Sequence, residues 1–247
     1  MAVEQRDVRD FNQVVMEDIG RLAITQGEQE SLTVETDLDL RDVYTEVRDG
    51  VLILRLGRTL LERLSVALES GFGSQRVHYR LSVKQLHALT VAGAGRVECA
   101  GLDTDKLELK LAGVGDIEFQ ALSAQELNVV LSGSGQVRAD GKAERLQVRL
   151  SGVGSYAGAG LQSQQAWVHL SGMGKASVWA ERDLDVHLSG MGSLEYRGNP
   201  RMKRRVSGLG SITHVGEQGQ HTTESGPGRG PRPPQAPRPP FGGGAGH

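Results

Sequence analysis

The chain has 247 residues, with 28 basic against 30 acidic side chains and a formal net charge of −2. That balance provides no general attraction for nucleic acid or an anionic membrane. Aromatic residues make up only 4% of the chain, so the core that its 38% hydrophobic content can build is aliphatic. One cysteine, Cys99, excludes an intramolecular disulfide and any multi-cysteine metal site. It sits in an alternating apolar run, where a free thiol acts as a small hydrophobe rather than a nucleophile.

The chain opens on MAVEQRDVRD, which has no apolar h-region, so no secretory leader is expected from it. The segments SLTVETD at 31–37 and VYTEVRDGVLILRL at 43–56 alternate apolar and polar residues, and Asp49-Gly50 marks a tight turn in the second. Both read as strands that continue or cap a larger sheet. The apolar stretch VLILRLGRTLLERLSVAL at 51–68 contains three arginines and a glutamate, whereas a membrane span needs roughly 20 apolar residues. No transmembrane segment is expected. Residues 57–80 break the alternation, and SGFG at 70–73 reads as a loop.

From there a motif recurs. Paired glycines stand at Gly93/Gly95, Gly113/Gly115, Gly133/Gly135, Gly152/Gly154, Gly172/Gly174, Gly190/Gly192 and Gly208/Gly210, at intervals of 18 to 20 residues. A catalytic motif needs to occur once, whereas a repeat of this length predicts a solenoid. Two residues before each first glycine stand Val91, Leu111, Leu131, Leu150, Leu170, Leu188 and Val206. Four after it stand Val97, Ile117, Val137, Tyr156, Ala176, Leu194 and Ile212. The residues between are mostly polar, and this period of two indicates strands with one buried face.

The fold class predicted is therefore all-β, a right-handed β-helix of ~19-residue coils with G-x-G corners. Both glycines of each pair are expected to form the structural corner. Stacked at the ~4.8 Å strand spacing, seven such coils would rise about 30 Å. Glycine serves the corners by allowing positive φ and close backbone approach. The small residues before it (Ala92, Ala112, then serines 132, 151, 171, 189 and 207) suggest hydroxyls bonding the turn. MEDIGRLAI at 16–24 fits the same frame, with Met16 at the ladder leucine, Asp18 at the first glycine and Leu22 at the buried position after the corner. Arg204 takes a position that is aliphatic in the six coils before it, so the column should end near residue 215. The expected division is a β-helical domain over 3–215, irregular over 3–80 and regular over 81–215. Residues 216–247, rich in proline and glycine, should form a disordered tail. Its PRPPQAPRPP stretch has the composition of SH3 or WW ligands, although a solvated spacer suits it better.

The order of motifs carries a resemblance. Arg6, Val8 and Phe11 in an R-x-V-x-x-F pattern, then AITQGEQESLTVETD, then EVRDGVLIL, then serial LSGxG coils resemble the head GIN domain of bacterial auto-transporter adhesins. The resemblance implies a β-helical domain of the cell envelope or periplasm, with adhesive or structural roles and no established enzymatic activity. A native start at Met1 would instead place the chain in the cytoplasm.

Candidate chemistry on the scaffold is sparse. Asp116 and Glu118 share a strand face and could form an acid–base pair of a carbohydrate-active enzyme, but coils of near-constant length leave no room for the loops that build a cleft. His169 and His187 are expected about 5 Å apart in adjacent coils, in one file with Arg149 and Arg205, which disfavour a cation. Trp167 and Trp179 sit at outward positions where an indole can stack on a sugar. No cofactor, metal or catalytic residue is predicted. The residues between the paired glycines give the strongest feature. Val153, Met173, Met191 and Leu209 form either an exposed apolar seam for self-association or, if the corner shifts parity, part of the core. The partners expected are a second copy of the chain, or an envelope polymer or surface protein. An intracellular scaffold using the proline-rich tail is a further alternative.

Overall fold

The computed structural model describes residues 1–57 and 77–216 and the backbone of residues 221–224. Among these residues there is no α-helix, and the chain forms one continuous sheet of stacked coils, a β-solenoid. The N-terminal strands are β1 (Ala2–Arg6), β2 (Gln13–Met16), β3 (Ile19–Gln26), β4 (Ser31–Thr36), β5 (Val43–Arg48), β6 (Val51–Leu56) and β7 (Val77–Val83). The repeats contribute β8 (Ala88–Val91), β9 (Ala94–Cys99), β10 (Leu102–Leu111), β11 (Val114–Leu131), β12 (Ser134–Leu150), β13 (Val153–Leu170), β14 (Met173–Leu188), β15 (Met191–Arg197), β16 (Arg201–Val206) and β17 (Leu209–Val215). A short β18 (His221–Glu224) follows.

From β8 to β17 the coils stack in parallel, and equivalent residues form files along the axis. The file Val91, Leu111, Leu131, Leu150, Leu170, Leu188 is in unbroken register, and each member is buried. Burying each such leucine contributes roughly 1.5–3 kcal/mol, and stacking makes the contribution repeat in every coil. Tyr156 occupies the same inward file as Ala176 and Val137, and the alanine leaves space for the larger ring. The ring also lies over Gly158, where an added Cβ would stand 2.5 Å from the phenolic oxygen.

Each coil has three sides rather than the two that the glycine pairs suggest. In β11, Ile117 and Phe119 point inward on the first side, Leu122 on a short second side, and Leu127, Val129 and Leu131 on the third. Phe119 and Leu122 are three residues apart yet both buried, so alternation resets at that bend. Every register shift between regular coils falls around the short side, between Phe119 and Leu122, Arg138 and Gly141, Gly158 and Gln162, or Ser163 and Gln165. The G-x-G corners carry none. The variation of 18 to 20 residues is absorbed where the coil can bulge.

At the corner, the backbone N–H groups of Ser132 and Gly133 both donate to Leu111 O at 3.0 Å, and Ser134 N donates to Gly113 O at 2.9 Å. The same pattern recurs from coil to coil. A Cβ on Gly133 would stand 1.9 Å from Gly113 O, so the first glycine is required by close approach. The hydroxyls of Ser151, Ser171 and Ser189 do not bond the turn. The side chains face solvent, because backbone groups already satisfy the corner.

The two glycines of a pair do not share one place in the fold, which corrects the expectation that both form the corner. Only the first of each pair, Gly93, Gly113, Gly133, Gly152, Gly172, Gly190 or Gly208, lies in the bend between strands. The second lies one residue inside the strand that follows: Gly95 in β9, Gly115 in β11, Gly135 in β12, Gly154 in β13, Gly174 in β14, Gly192 in β15 and Gly210 in β17. These second glycines pair with one another in an unbroken parallel ladder from coil to coil. They are strand residues because the chain has finished turning by the residue between the glycines, whose N–H already bonds the coil below. Among the paired glycines, positive φ occurs only at Gly115 and Gly135, at 148° and 139°. At Gly154, Gly174, Gly192 and Gly210 it is crowding that bars a side chain, since an added Cβ would stand 2.0 to 2.4 Å from the carbonyl oxygen of the preceding coil's second glycine.

The N-terminal end departs from sequence order. Residues 13–26 form a coil in the expected frame, with Met16 opposite Val91, Gly20 opposite Gly95 and Leu22 opposite Val97. On its other side, however, the coil pairs with β6 and β7. It is thus inserted between β7 and the β8–β9 coil, which follow one another in the chain. The β6–β7 coil meets it with Leu54 opposite Met16 and Val77 opposite Gly20. Beside that junction Asp18, buried at the first-glycine position, accepts a hydrogen bond from the Tyr79 hydroxyl. Burial, with the neighbouring carboxylate, pushes the Tyr79 phenol well above its ordinary range. Antiparallel strands close this end, β4 on β7, β5 on β6 and β1 on β4. The Arg6 guanidinium donates to the carbonyls of Leu40 and Val43 and to Thr45 Oγ1, and Val8 and Phe11 are buried. The R-x-V-x-x-F pattern is an end plug.

Residues 77–80, expected to be irregular, belong to β7, where Val77, Tyr79, Leu81 and Val83 point inward. The boundary expected at 80/81 falls inside this strand. SGFG at 70–73 and nearly all of the tail lie outside the described residues. At the C-terminal end, β16 pairs with β14 alone among the described strands, and β18 lies antiparallel on β17. Arg204 is exposed there, at the coil's open end.

Two outcomes are expected in denaturant unfolding. Leu131→Ala or Leu150→Ala should lose on the order of 2–5 kcal/mol, as buried truncations in a tightly packed file. Gly133→Ala should cost about 3 kcal/mol through overpacking against a backbone oxygen that cannot move without displacing a whole coil.

Candidate functional site

The residues that could have carried chemistry are dispersed or already paired. Asp116 forms an ion pair with Arg96 at 3.0 Å, and Glu118 stacks between Glu98 and Arg138 of adjacent coils. That arrangement is a solvated face of mixed charge. The His169 and His187 rings lie 4.8 Å apart, tilted by 37°, beside Arg149 and Arg205 in register. Among the described residues no cluster of three or more histidine, cysteine or acidic side chains could hold a metal ion. Cys99 is buried, its thiol donates to Gly101 O at 3.4 Å, and burial pushes its pKa up to about 11. It therefore stays a neutral thiol at physiological pH.

Two outward features remain. The first is the corner ridge. Parity continues through the corner, with Leu131 inward, Ser132 outward, Gly133 and Gly135 in the inward phase, and Val137 inward again. Residues between the glycines consequently point out. Val153 is 52% exposed, Met173 50%, Met191 55% and Leu209 79%. Together with the serine and glycine files beside them they line a shallow groove of about 490 Å³. Val114 continues the ridge, which Ser134 interrupts. Of the two sequence readings of this file, the exposed one matches the geometry; burial fails because the inward positions at the corner have no room for a side chain.

The second feature is Trp167 on β13, in the middle of the third side. It is 39% exposed and lies in register with Gln147 and Asp185 of the adjacent coils. Asn128 stands one coil further along the same file. Trp179, by contrast, is partly covered and lies close to the end of the column. Sequence reasoning found both tryptophans but not the polar company of Trp167. Stepping one repeat in each direction from it would have revealed Gln147 and Asp185.

The architecture defines a class: a β-solenoid whose described surface arrays its side chains in files along the axis. Within that class, a family model described as "Putative auto-transporter adhesin, head GIN domain" matches residues 10–200. The chain belongs to this family. Among solved structures, "a putative adhesin" from Bacteroides fragilis is 25% identical, with a TM-score of 0.78, covering 87% of this chain and 96% of that one. A "putative adhesin" from Parabacteroides merdae is 17% identical, with a TM-score of 0.65 and coverage of 87% and 95%. A "Putative lipid binding protein" from Parabacteroides distasonis is 18% identical, with a TM-score of 0.67 and coverage of 87% and 96%. The last two share the fold. A search of curated proteins returns no match. No helix among the described residues is long and apolar enough to cross a membrane.

A thiol reagent should report the state of Cys99. At pH 8 the native protein should label only as fast as it unfolds, and denaturant should release rapid labelling; fast labelling of the folded chain would contradict a buried, neutral thiol.

Proposed function

We propose that the chain is a non-enzymatic, adhesin-like module of the bacterial cell envelope that acts through its outer faces and associates with itself along the corner ridge. The observation that carries this reading is the file of Val153, Met173, Met191 and Leu209, exposed side by side in consecutive coils. A contiguous apolar stripe bordered by small polar residues is costly to leave in water and marks a contact surface. Methionine adapts to the shape of whatever packs on it. A second copy suits it because a linear file at constant spacing is complementary to itself about a two-fold axis, an isologous arrangement.

Membership of the family supports envelope placement, on which no feature of the coils bears. Against catalysis stand the pairing of Asp116 with Arg96 and the near-constant length of the coils from β8 to β17, which among the described residues leaves no inserted loop to wall a cleft. Fold alone decides little here, because solenoids of one architecture serve unrelated ends.

Light scattering of the full chain provides the test. The wild type should be a dimer or higher oligomer, and Met173→Lys/Met191→Lys should bring the mass down to a monomer without lowering the melting temperature, since both side chains are already outside the core. A wild-type monomer, or an oligomer that the double variant leaves intact, would remove the ridge as the site of association.

A further inference from the structure

The described surface has nine large hydrophobic residues that are well exposed, and eight of them have an evident place. Met1 and Val3 lie at the N-terminal cap, Val206 lies in the open last coil, and the other five form the corner ridge. Trp167 belongs to none of these groups. It stands alone on a flat, in-register parallel face, with polar side chains around it. Nothing in the coil requires an indole there: the equivalent positions hold Asn128, Gln147, Asp185 and Lys203.

Three shallow depressions converge on this one ring. One of about 340 Å³ is walled by Asn128, Arg145 and Gln147, and another of about 450 Å³ by Gln165, Asp185 and Lys203. A third, of about 220 Å³, leads past Arg149 to His169 and His187. The side-chain oxygen Oδ1 of Asn128 is buried in this region without a hydrogen-bond partner.

From this arrangement we infer a binding site for a neutral oligosaccharide, with Trp167 as the stacking platform. The apolar area on offer is one indole face, which matches the C–H face of a single pyranose whose hydroxyls are equatorial. A protein partner would instead favour a wider apolar centre from which water is excluded. The flanking amides and carboxylate, Asn128, Gln147, Gln165 and Asp185, supply both donors and acceptors for ring hydroxyls. Basic and acidic groups are mixed on the face, so an anionic polymer gains no net attraction. Depressions on both sides of the ring allow a chain to run through rather than end there. The site shares the surface-acting reading of the molecule but uses a different face from the corner ridge.

The full chain, its Trp167→Ala variant and its Met173→Lys/Met191→Lys variant would be titrated by calorimetry with cellohexaose and with chitohexaose. At least one of these chains should bind saturably to the wild type, and Trp167→Ala should weaken that binding by about tenfold or more. The Met173→Lys/Met191→Lys variant should bind as the wild type does, whatever its mass, so that failure of the ridge and failure of the glycan site are separable. In a Trp179→Phe chain, where Trp167 is the sole indole, the emission should shift to the blue as the sugar covers it. Trp167→Ala should melt like the wild type, which would exclude misfolding as the cause of lost binding. The inference is overturned if neither oligosaccharide binds, or if Trp167→Ala binds undiminished. It also fails if oligogalacturonate binds more tightly than the neutral chains, or if Trp167→Ala changes only the oligomeric mass.

Discussion

Consecutive coils approach each other so closely at the corner that an α-hydrogen fits between them and a methyl group does not. The carbonyl of one first glycine points along the axis at the α-carbon of the next, and the adjacent N–H groups converge on the carbonyl of the ladder leucine beneath. Everything regular about the molecule depends on that contact. It sets the stacking distance and holds seven corners in one register. It also forces length variation onto the short second side, where Gly141 and the shifts near Gly158 absorb it. Because inward positions at the corner and just beyond it must be glycine, the residues between them have nowhere to go but out. The apolar ridge is thus positioned by the same constraint that builds the column.

A solenoid built this way has an interior with little to vary and a surface with almost complete freedom. Inward files admit aliphatic residues and an occasional aromatic offset by alanine, as with Tyr156 against Ala176. Outward files carry any side chain, and each is multiplied at the coil spacing. Binding on such a scaffold is therefore written as rows: a row of methionines and aliphatics on one edge, a row of amides, indole and carboxylate on one face.

The ends obey different physics. A stacked sheet leaves its terminal edges unpaired, and unpaired edges invite uncontrolled association. At the N-terminal end the chain reverses strand direction, lays β4 and β5 across the last parallel coil, and ties them with the Arg6 guanidinium. At the other end β18 runs antiparallel on β17, while β16 carries Arg201, Lys203, Arg204 and Arg205, whose charge resists edge-to-edge pairing with another copy of itself.

Much of this was legible in the sequence because the repeat states one geometric demand seven times. The repeat strands, their inward residues and the frame of residues 16–24 follow from glycine spacing and a period of two, and the family resemblance from the order of motifs between Arg6 and the LSGxG coils. Other features depended on contacts between residues far apart in the chain. Local pattern could not reveal that residues 13–26 slide between β7 and the β8–β9 coil, because edge pairing is chosen by whichever free strand is nearby in space. It gave no sign that Asp18 would be satisfied by Tyr79, which lies 61 residues away. The alternation of Val77, Tyr79, Leu81 and Val83 begins inside a segment that breaks the pattern, and only pairing with β3 and β4 fixes it as strand. Spacing also could not separate the first glycine, which turns the chain, from the second, which is already strand. The orientation of the Val153–Leu209 file needed the corner itself, since parity through a turn depends on backbone geometry. The order of amino acids assigns a side chain to each position; only the stacked coils decide which of those side chains become neighbours in water.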